Sequence, residues 1–468
     1  MIKVYRNFGI LAALAQAGCV FLIAQQRYGL VSTDEKHQES TRQLLIWITH
    51  LILPVFLVAG KRVEGWNLSF FPNVFCTLTM IFAIRFSSIS FIFYPMIVFA
   101  TFFLVVHIVA LKAFCYTKFI EPKGSFRVGF KYLKYKELAI SVYYPTDKPS
   151  GNGAPYYQDS YPLDNLYIFM TFGRPFPRAI FDIMYDFQTK IKQLAHLDSP
   201  LISPEKLASQ TTSSKFVPII FSPGLGSHRS AYSNFCTEFA SRGHIVVSLN
   251  HIEDIKETFI EKGTELKTKY LAKRVHEVRG LIDSLQQGHL LSEVFKSEVP
   301  LAMEKTIVIG HSFGGATALT TALEDKRVND IILLDPWFFA MKKEDLSKKL
   351  HCGAFLIESD YWDASTSMFE IRARNKEFIN AQKENEKKAI YTIAKRSDHI
   401  TFGDSAVTNA AYLSLFKLIT HKEEQRGLLA LLVEIASKYV EVSVSGAKKD
   451  EVDKFMQMIK TSKKLTYE

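Results

Sequence analysis

Cysteine is scarce in this chain: five occur in 468 residues, and only Cys236 and Cys352 lie beyond the first quarter. Two thiols cannot staple a body of that size, so a disulfide framework is excluded. The body also lacks an Asn-x-Ser/Thr acceptor; the single one, Asn67-Leu68-Ser69, lies in an apolar segment. No Cys/His cluster stands at zinc spacing and no acidic loop reads as a calcium site, so neither a metal nor another cofactor is expected. Internal repeats at solenoid periods and extended low-complexity tracts are absent as well. The formal net charge is +10, but no recognition motif accompanies the basic residues, so no nucleic-acid partner is expected. Positive charge suits anionic lipid headgroups more simply.

Long hydrophobic runs, by contrast, are plentiful. The composition is 48% hydrophobic with 37 phenylalanines, and four runs fill the first quarter: Phe8–Ala24, Leu44–Gly60, Leu68–Ile84 and Ile89–Leu111. Each approaches the ~20 residues that cross a bilayer core, and none has a polar face. Lys3 and Arg6 before the first run suit a signal peptide, but three further runs argue against a secreted product. Residues 1–116 are therefore expected to form a multi-span anchor, a bundle of about four transmembrane helices. Basic residues in short loops set the orientation. Lys3, Arg6, Lys61, Arg62, Lys112, Lys118, Lys123 and Arg127 stand against Arg27, Lys36, Arg42 and Arg85, eight to four. Four spans then place everything after Leu111 in the cytosol, whereas three would reverse the orientation. The expectation is an integral membrane protein with a cytosolic catalytic domain.

From Lys118 the chain alternates strand-like and helix-like stretches. "ELAISVYYPT", "VPIIFSPG", "HIVVSLNH", "KTIVIGHS", "DIILLDPW", "GAFLIESD" and "KAIYTIAK" read as strands, and Glu265–Gln287 as a long helix. Such alternation predicts a mainly parallel sheet covered on both faces, an α/β catalytic domain over residues 117–424. Residues 152–215 lack clear strands and carry many aromatics. Within them Ala179–Leu194 repeats apolar residues at helical spacing, either a helix on the sheet or a lid that dips into lipid. Residues 425–468 begin with the apolar helix "GLLALLVEIASKYVEV" and pass into a Lys-rich end that reads as disordered.

One stretch carries chemistry. In "TIVIGHSFGGATALTTAL" a single serine, Ser312, stands among Gly310, Gly314 and Gly315 between a strand and a helix. Gly310-His311-Ser312-Phe313-Gly314 fits the nucleophile-elbow pattern G-x-S-x-G in the context that gives it meaning. The new helix turns its unpaired N–H groups toward the serine, so the Phe313 N–H is a candidate oxyanion donor. A second donor is sought in "SPGLGSHRS", where Leu225 lies between two glycines. Serine needs a base and the base an orienting acid, in the chain order Ser, acid, His. Asp335 and Asp360 both end strands, with Asp363 close behind, and the spacing leaves the first two open. Of His351, His399 and His421, only His399 follows the last strand in a loop.

The body resembles the plasma-type platelet-activating factor acetylhydrolases, calcium-independent phospholipases A2 of the α/β-hydrolase fold. The resemblance rests on "GSFRVG", "YYPT", "FSPGLGSHRSAYS", "FASRGHIVVSLNH", "GHSFGGATA", "LLDPWFF" and the final His loop, and it spans about Pro122 to Leu418. It implies Ser312 as nucleophile, Asp335 as acid, 23 residues later, and His399 as base, with Leu225 and Phe313 as oxyanion donors. It also implies hydrolysis of the sn-2 ester of phospholipids with short or oxidised acyl chains; the alternatives are a serine esterase or lipase acting on another ester and a catalytically silent membrane protein that keeps the hydrolase fold.

Overall fold

The computed structural model describes residues 12–20, 43–49, 70–85, 95–106, 119–159, 191–211, 213–254, 264–362, 370–383, 389–408, 422–446 and 449–467, with a few isolated positions between them. The chain divides into two compact units, Met1–Thr117 with Phe176–Ile191, and Lys118–Pro175 with Lys192–Glu468.

The first unit overturns an expectation. Among the described residues no helix is long and apolar enough to cross a membrane. Phe70–Arg85 is apolar but has only 16 residues, short of the ~20 required. The described helical pieces pack on one another, burying Cys19, Leu45, Cys76, Met80 and Leu104. They also bury polar groups: the Gln16 side-chain amide donates to Thr77 Oγ1 at 2.9 Å and to the Asn73 carbonyl at 3.0 Å. The four-span bundle, the integral-membrane placement and the cytosolic orientation counted from it are corrected accordingly. At least one end of each of the four runs lies outside the described residues.

The second unit is built on one sheet in the order β11-β10-β9-β8-β7-β5-β6-β2-β1-β4-β3. Its centre is six parallel strands: β5 (Pro218–Ser222), β6 (Ile245–Asn250), β7 (Ile307–His311), β8 (Asp330–Leu334), β9 (Gly353–Ser359) and β10 (Ala389–Ala394). Every residue of β5 through β9 is buried. That is what continuous Val/Ile/Leu runs do when helices cover both faces of a sheet. Antiparallel to this core run β2 (Leu138–Thr146) beside β6 and β11 (Leu465–Tyr467) beside β10. β1 (Arg127–Tyr135) pairs with β2, β4 (Lys192–Leu197) with β1, and β3 (Gly153–Pro155) with β4.

Two segments differ from their sequence reading. Residues 152–215 supply β3 and β4, and Lys192 to Leu194, read as the end of a helix, lie in β4; the rest of the lid expectation, residues 179–190, falls outside the described residues. The Lys-rich end is ordered, with a helix over Lys449–Thr461 and then β11.

Helices α1 (Ser233–Ser241), α2 (Thr264–Gln286), α3 (Phe313–Glu324) and α4 (Lys422–Ser445) matter most to the site. Strand register sets the rest. Ser222 stands opposite Gly310, His311 opposite Leu334, and Leu334 opposite Ile357. The chain therefore leaves β5, β7, β8 and β9 at one level. β6 lies on one side of β5 and β7 on the other, which opens a crevice at the strand ends where such sheets place their sites.

Candidate active site

Ser312 occupies that crevice between β7 and α3. Its backbone is left-handed, φ 56° and ψ −120°, a conformation that costs a side-chain-bearing residue ~1–3 kcal/mol and persists only when its surroundings enforce it. They do: the Ser312 N–H donates to the Leu334 carbonyl at 3.0 Å, and its own carbonyl accepts from Trp337 N at 2.8 Å and Gly315 N at 2.9 Å. The flanking glycines permit close approach. A Cβ on Gly310 would lie 1.9 Å from the Gly314 carbonyl oxygen, and one on Gly314 would lie 2.0 Å from that of Ser222. The start of α3 is thus pressed against the end of β5. On the far side of Ser312, a Cβ on Gly224 would lie 3.4 Å from the serine Cβ. The Gly224–Leu225 loop and the Phe313 amide therefore flank the same side chain.

Asp335 follows β8 and is fully buried, again left-handed at φ 45°. Its carboxylate accepts from Ser359 N at 2.8 Å, Ser359 Oγ at 2.6 Å and His399 Nδ1 at 2.7 Å. With Nδ1 donating to the acid, Nε2 of a neutral imidazole carries the lone pair. Burial disfavours both charged forms, raising Asp335 to about 6 and lowering His399 to about 3. The pair holds a neutral imidazole beside a carboxylate near pH 7. The His399 ring stacks on Trp362 with centroids 3.5 Å apart. Among the described residues no hydrogen bond joins Ser312 Oγ to His399, a contact that commonly tightens only when substrate is bound.

Two of the rival residues, Asp360 and His351, make other contacts. Asp360 accepts from the Arg396 N–H at 3.1 Å, and its own N–H donates to Ser397 Oγ at 3.4 Å, which ties the turn after β9 to the turn after β10. His351 contacts the Val328 carbonyl at 2.9 Å beside the start of β8, at the other end of the sheet. Asp363 and His421 lie outside the described residues.

Several site residues carried no sequence signal beyond their neighbours. His311 lies 4.5 Å from His399, ring to ring, and its Nε2 donates to the His399 carbonyl at 3.0 Å. Its Nδ1 must then accept, from Tyr232 Oη at 2.8 Å, and that hydroxyl accepts in turn from the Gly224 N–H at 3.3 Å. Burial holds His311 neutral, well below the ordinary imidazole range. His311, Asp335 and His399 bring potential metal-ligand atoms within 4.8 Å of one another, but their ring nitrogens Nδ1 and Nε2 of His311 and Nδ1 of His399 are already engaged in these hydrogen bonds. Asp404, fully buried, accepts from Ser233 N at 2.7 Å, Ser233 Oγ at 2.6 Å and Asn234 Nδ2 at 2.6 Å, capping α1 from a distance. Burial raises it to about 7.

Comparison with known proteins adds the ancestry. The family described as "Platelet-activating factor acetylhydrolase, isoform II" matches residues 113–259 and 254–442. The chain belongs to this family. Among platelet-activating factor acetylhydrolases, that of Cavia porcellus is 32% identical over 224 residues, 41% of this chain and 49% of that protein. That of Bos taurus is 30% identical over 195 residues, covering 34% and 44%. The chain spans about half the length of these curated relatives. Among solved structures, a ferulic acid esterase from Streptomyces cinnamoneus superposes with a TM-score of 0.51 over 74% of this chain and 98% of that one, at 17% identity. The likeness shows the α/β-hydrolase-like fold alone.

Proposed function

We propose that the protein is a serine ester hydrolase that cleaves the sn-2 ester of phospholipids bearing short or oxidised acyl chains. The observation that carries this reading is the His399–Asp335 pair at 2.7 Å beside a serine held in a strained turn. His399 Nε2 takes the proton of Ser312 Oγ as the oxygen attacks the carbonyl carbon. Asp335 keeps the imidazole in the tautomer that can accept it and stabilises the imidazolium that forms. The Leu225 and Phe313 amides receive the charge that develops on the carbonyl oxygen; one such donor is typically worth ~10²–10³ in rate. His399 then returns the proton to the departing lysophospholipid oxygen. Water, deprotonated by the same base, releases the acyl group as a carboxylate. Family membership supports the phospholipid, and the acetyl preference follows the family's name.

The test compares two phosphatidylcholines without calcium, one with an sn-2 acetyl group and one with sn-2 palmitoyl, with Ser312→Ala as the blank. We expect turnover of the acetyl substrate to exceed the other by at least tenfold, and Ser312→Ala to abolish both. Equal rates would make it a broader phospholipase. Normal turnover by folded Ser312→Ala would overturn the serine mechanism.

A further inference from the structure

A second set of buried polar groups lies directly behind Leu225 and Phe313, and nothing in the proposed chemistry uses it. Arg274, on α2, has a side chain only 1% exposed and pairs with Glu253, whose side chain is equally buried. Its Nε and Nη2 both reach the Glu253 carboxylate, Nη2 at 2.7 Å. The remaining donors go to main chain: Nη1 to the Pro223 carbonyl at 2.7 Å and Nη2 to the Gly224 carbonyl at 3.3 Å. The guanidinium carbon also lies 4.4 Å over the Phe313 ring. One side chain therefore touches both segments that carry the candidate oxyanion donors.

Peptide planarity turns these contacts into a direction. In a trans peptide the carbonyl and the following N–H point opposite ways. Fixing the Pro223 carbonyl on Arg274 aims the Gly224 N–H away from it, and that N–H does meet Tyr232 Oη at 3.3 Å. By the same constraint, fixing the Gly224 carbonyl fixes the direction of the Leu225 N–H. A rotation of that one peptide would present a carbonyl oxygen where a donor is needed. The root of the loop is held too: Ser222 Oγ pairs with His251 Nε2 at 2.8 Å, and His251 Nδ1 with Glu277 Oε2 at 2.6 Å. This Ser–His–Glu arrangement looks like a second triad, but Ser222 is fully buried, so no substrate reaches it.

We infer that Arg274, held by Glu253, is a positioning residue that sets the Gly224–Leu225 peptide and the Phe313 segment so that their two amides converge on one point. The inference rests on the proposed roles of Ser312, Leu225 and Phe313. A buried Arg–carboxylate pair is a poor source of stability in itself. A planar fork that binds one acid and two carbonyls at once is something lysine cannot replace.

The experiment uses the full chain, p-nitrophenyl acetate as substrate and a trifluoromethyl ketone as the ligand whose adduct carries an oxyanion. Arg274→Lys keeps the charge but loses the fork, and Glu253→Gln keeps the shape while loosening the pair. It serves if Arg274→Lys does not fold by circular dichroism. For Arg274→Lys we expect kcat to fall about 10²-fold, KM to stay within threefold, and ketone affinity to fall in step with kcat. The acid limb of the pH profile should not move, because the Asp335–His399 pair is untouched. For Glu253→Gln we expect the same pattern at about one tenth of the size. A folded variant with kcat within threefold of the parent, or one that loses kcat while binding the ketone normally, overturns the inference. Ser312→Ala run alongside keeps the two ideas apart: its inactivity beside a fully active Arg274→Lys sinks only the clamp, whereas its activity sinks the serine mechanism.

Discussion

The two ends of the parallel strands are built on opposite principles. At the ends where β7, β8 and β10 finish, the chain turns through left-handed residues with side chains: Ser312 at φ 56°, Asp335 at φ 45° and Arg396 at φ 60°. Buried imidazoles and carboxylates crowd the same edge. At the opposite end a buried acid sits in ordinary strand backbone and is held by a helix. Asp330, opening β8, accepts from Tyr439 Oη at 2.7 Å and also from Ser443, both on α4. Strain and poorly solvated charge collect where chemistry is proposed, and complementary contacts collect where only a helix must be held. One end should therefore lose activity with little loss of stability when altered, and the other the reverse.

The largest effect should come from Asp335→Asn. It preserves shape but favours the wrong imidazole tautomer, and we expect kcat to fall about 10⁴-fold with the fold retained. A loss below tenfold would remove Asp335 from the orienting role. The pH profile sharpens the same point. Burial lowers His399 to about 3 and raises Asp335 to about 6, so the productive pair, neutral His with ionised Asp, persists below the pH at which a free imidazole protonates. The acid limb of kcat/KM should lie at or below about 6, against ~6.5 for an unperturbed histidine; a limb at 7 or above contradicts the burial. At the other end, Tyr439→Phe should cost about 1 kcal/mol, read as a lower melting temperature, while kcat stays within twofold. An equal loss of activity would erase the contrast between the two ends.

The centre of the sheet was legible because β5 through β10 are largely apolar runs closed by turn residues, and the elbow because its glycines mark a close approach. The edges were not. β1 passes from three buried residues, Val128 to Phe130, into the half-buried or exposed stretch Lys131 to Lys134, β4 reads "KQLAHL", and β11 has three residues, of which Leu465 is buried and Tyr467 exposed. Short edge strands take their identity from a neighbour, not from their own pattern. Asp335 and Asp360 both end a strand, and spacing cannot say which turn aims its carboxylate at His399. Arg274 was invisible for another reason: it is one basic residue on a mixed helix, its acid stands 21 residues away and its main-chain partners 50 and 51. The apolar first quarter misled because hydropathy does not mark where a helix starts or stops: among the described residues the third run gives a helix of 16, Phe70–Arg85.

Asp404 lies five residues beyond His399, yet its carboxylate caps the first turn of α1, which begins eight residues after Leu225. Thr401, between them, donates to Gln425 Oε1 at 2.5 Å, on the helix that packs behind. Hydrogen bonds thus tie the loop that carries His399 to the start of α1 and to α4. Opening of the whole His399–Asp404 loop would strip α1 of its cap, so we expect the amides of the loop and of the first turn of α1 to exchange hydrogen together.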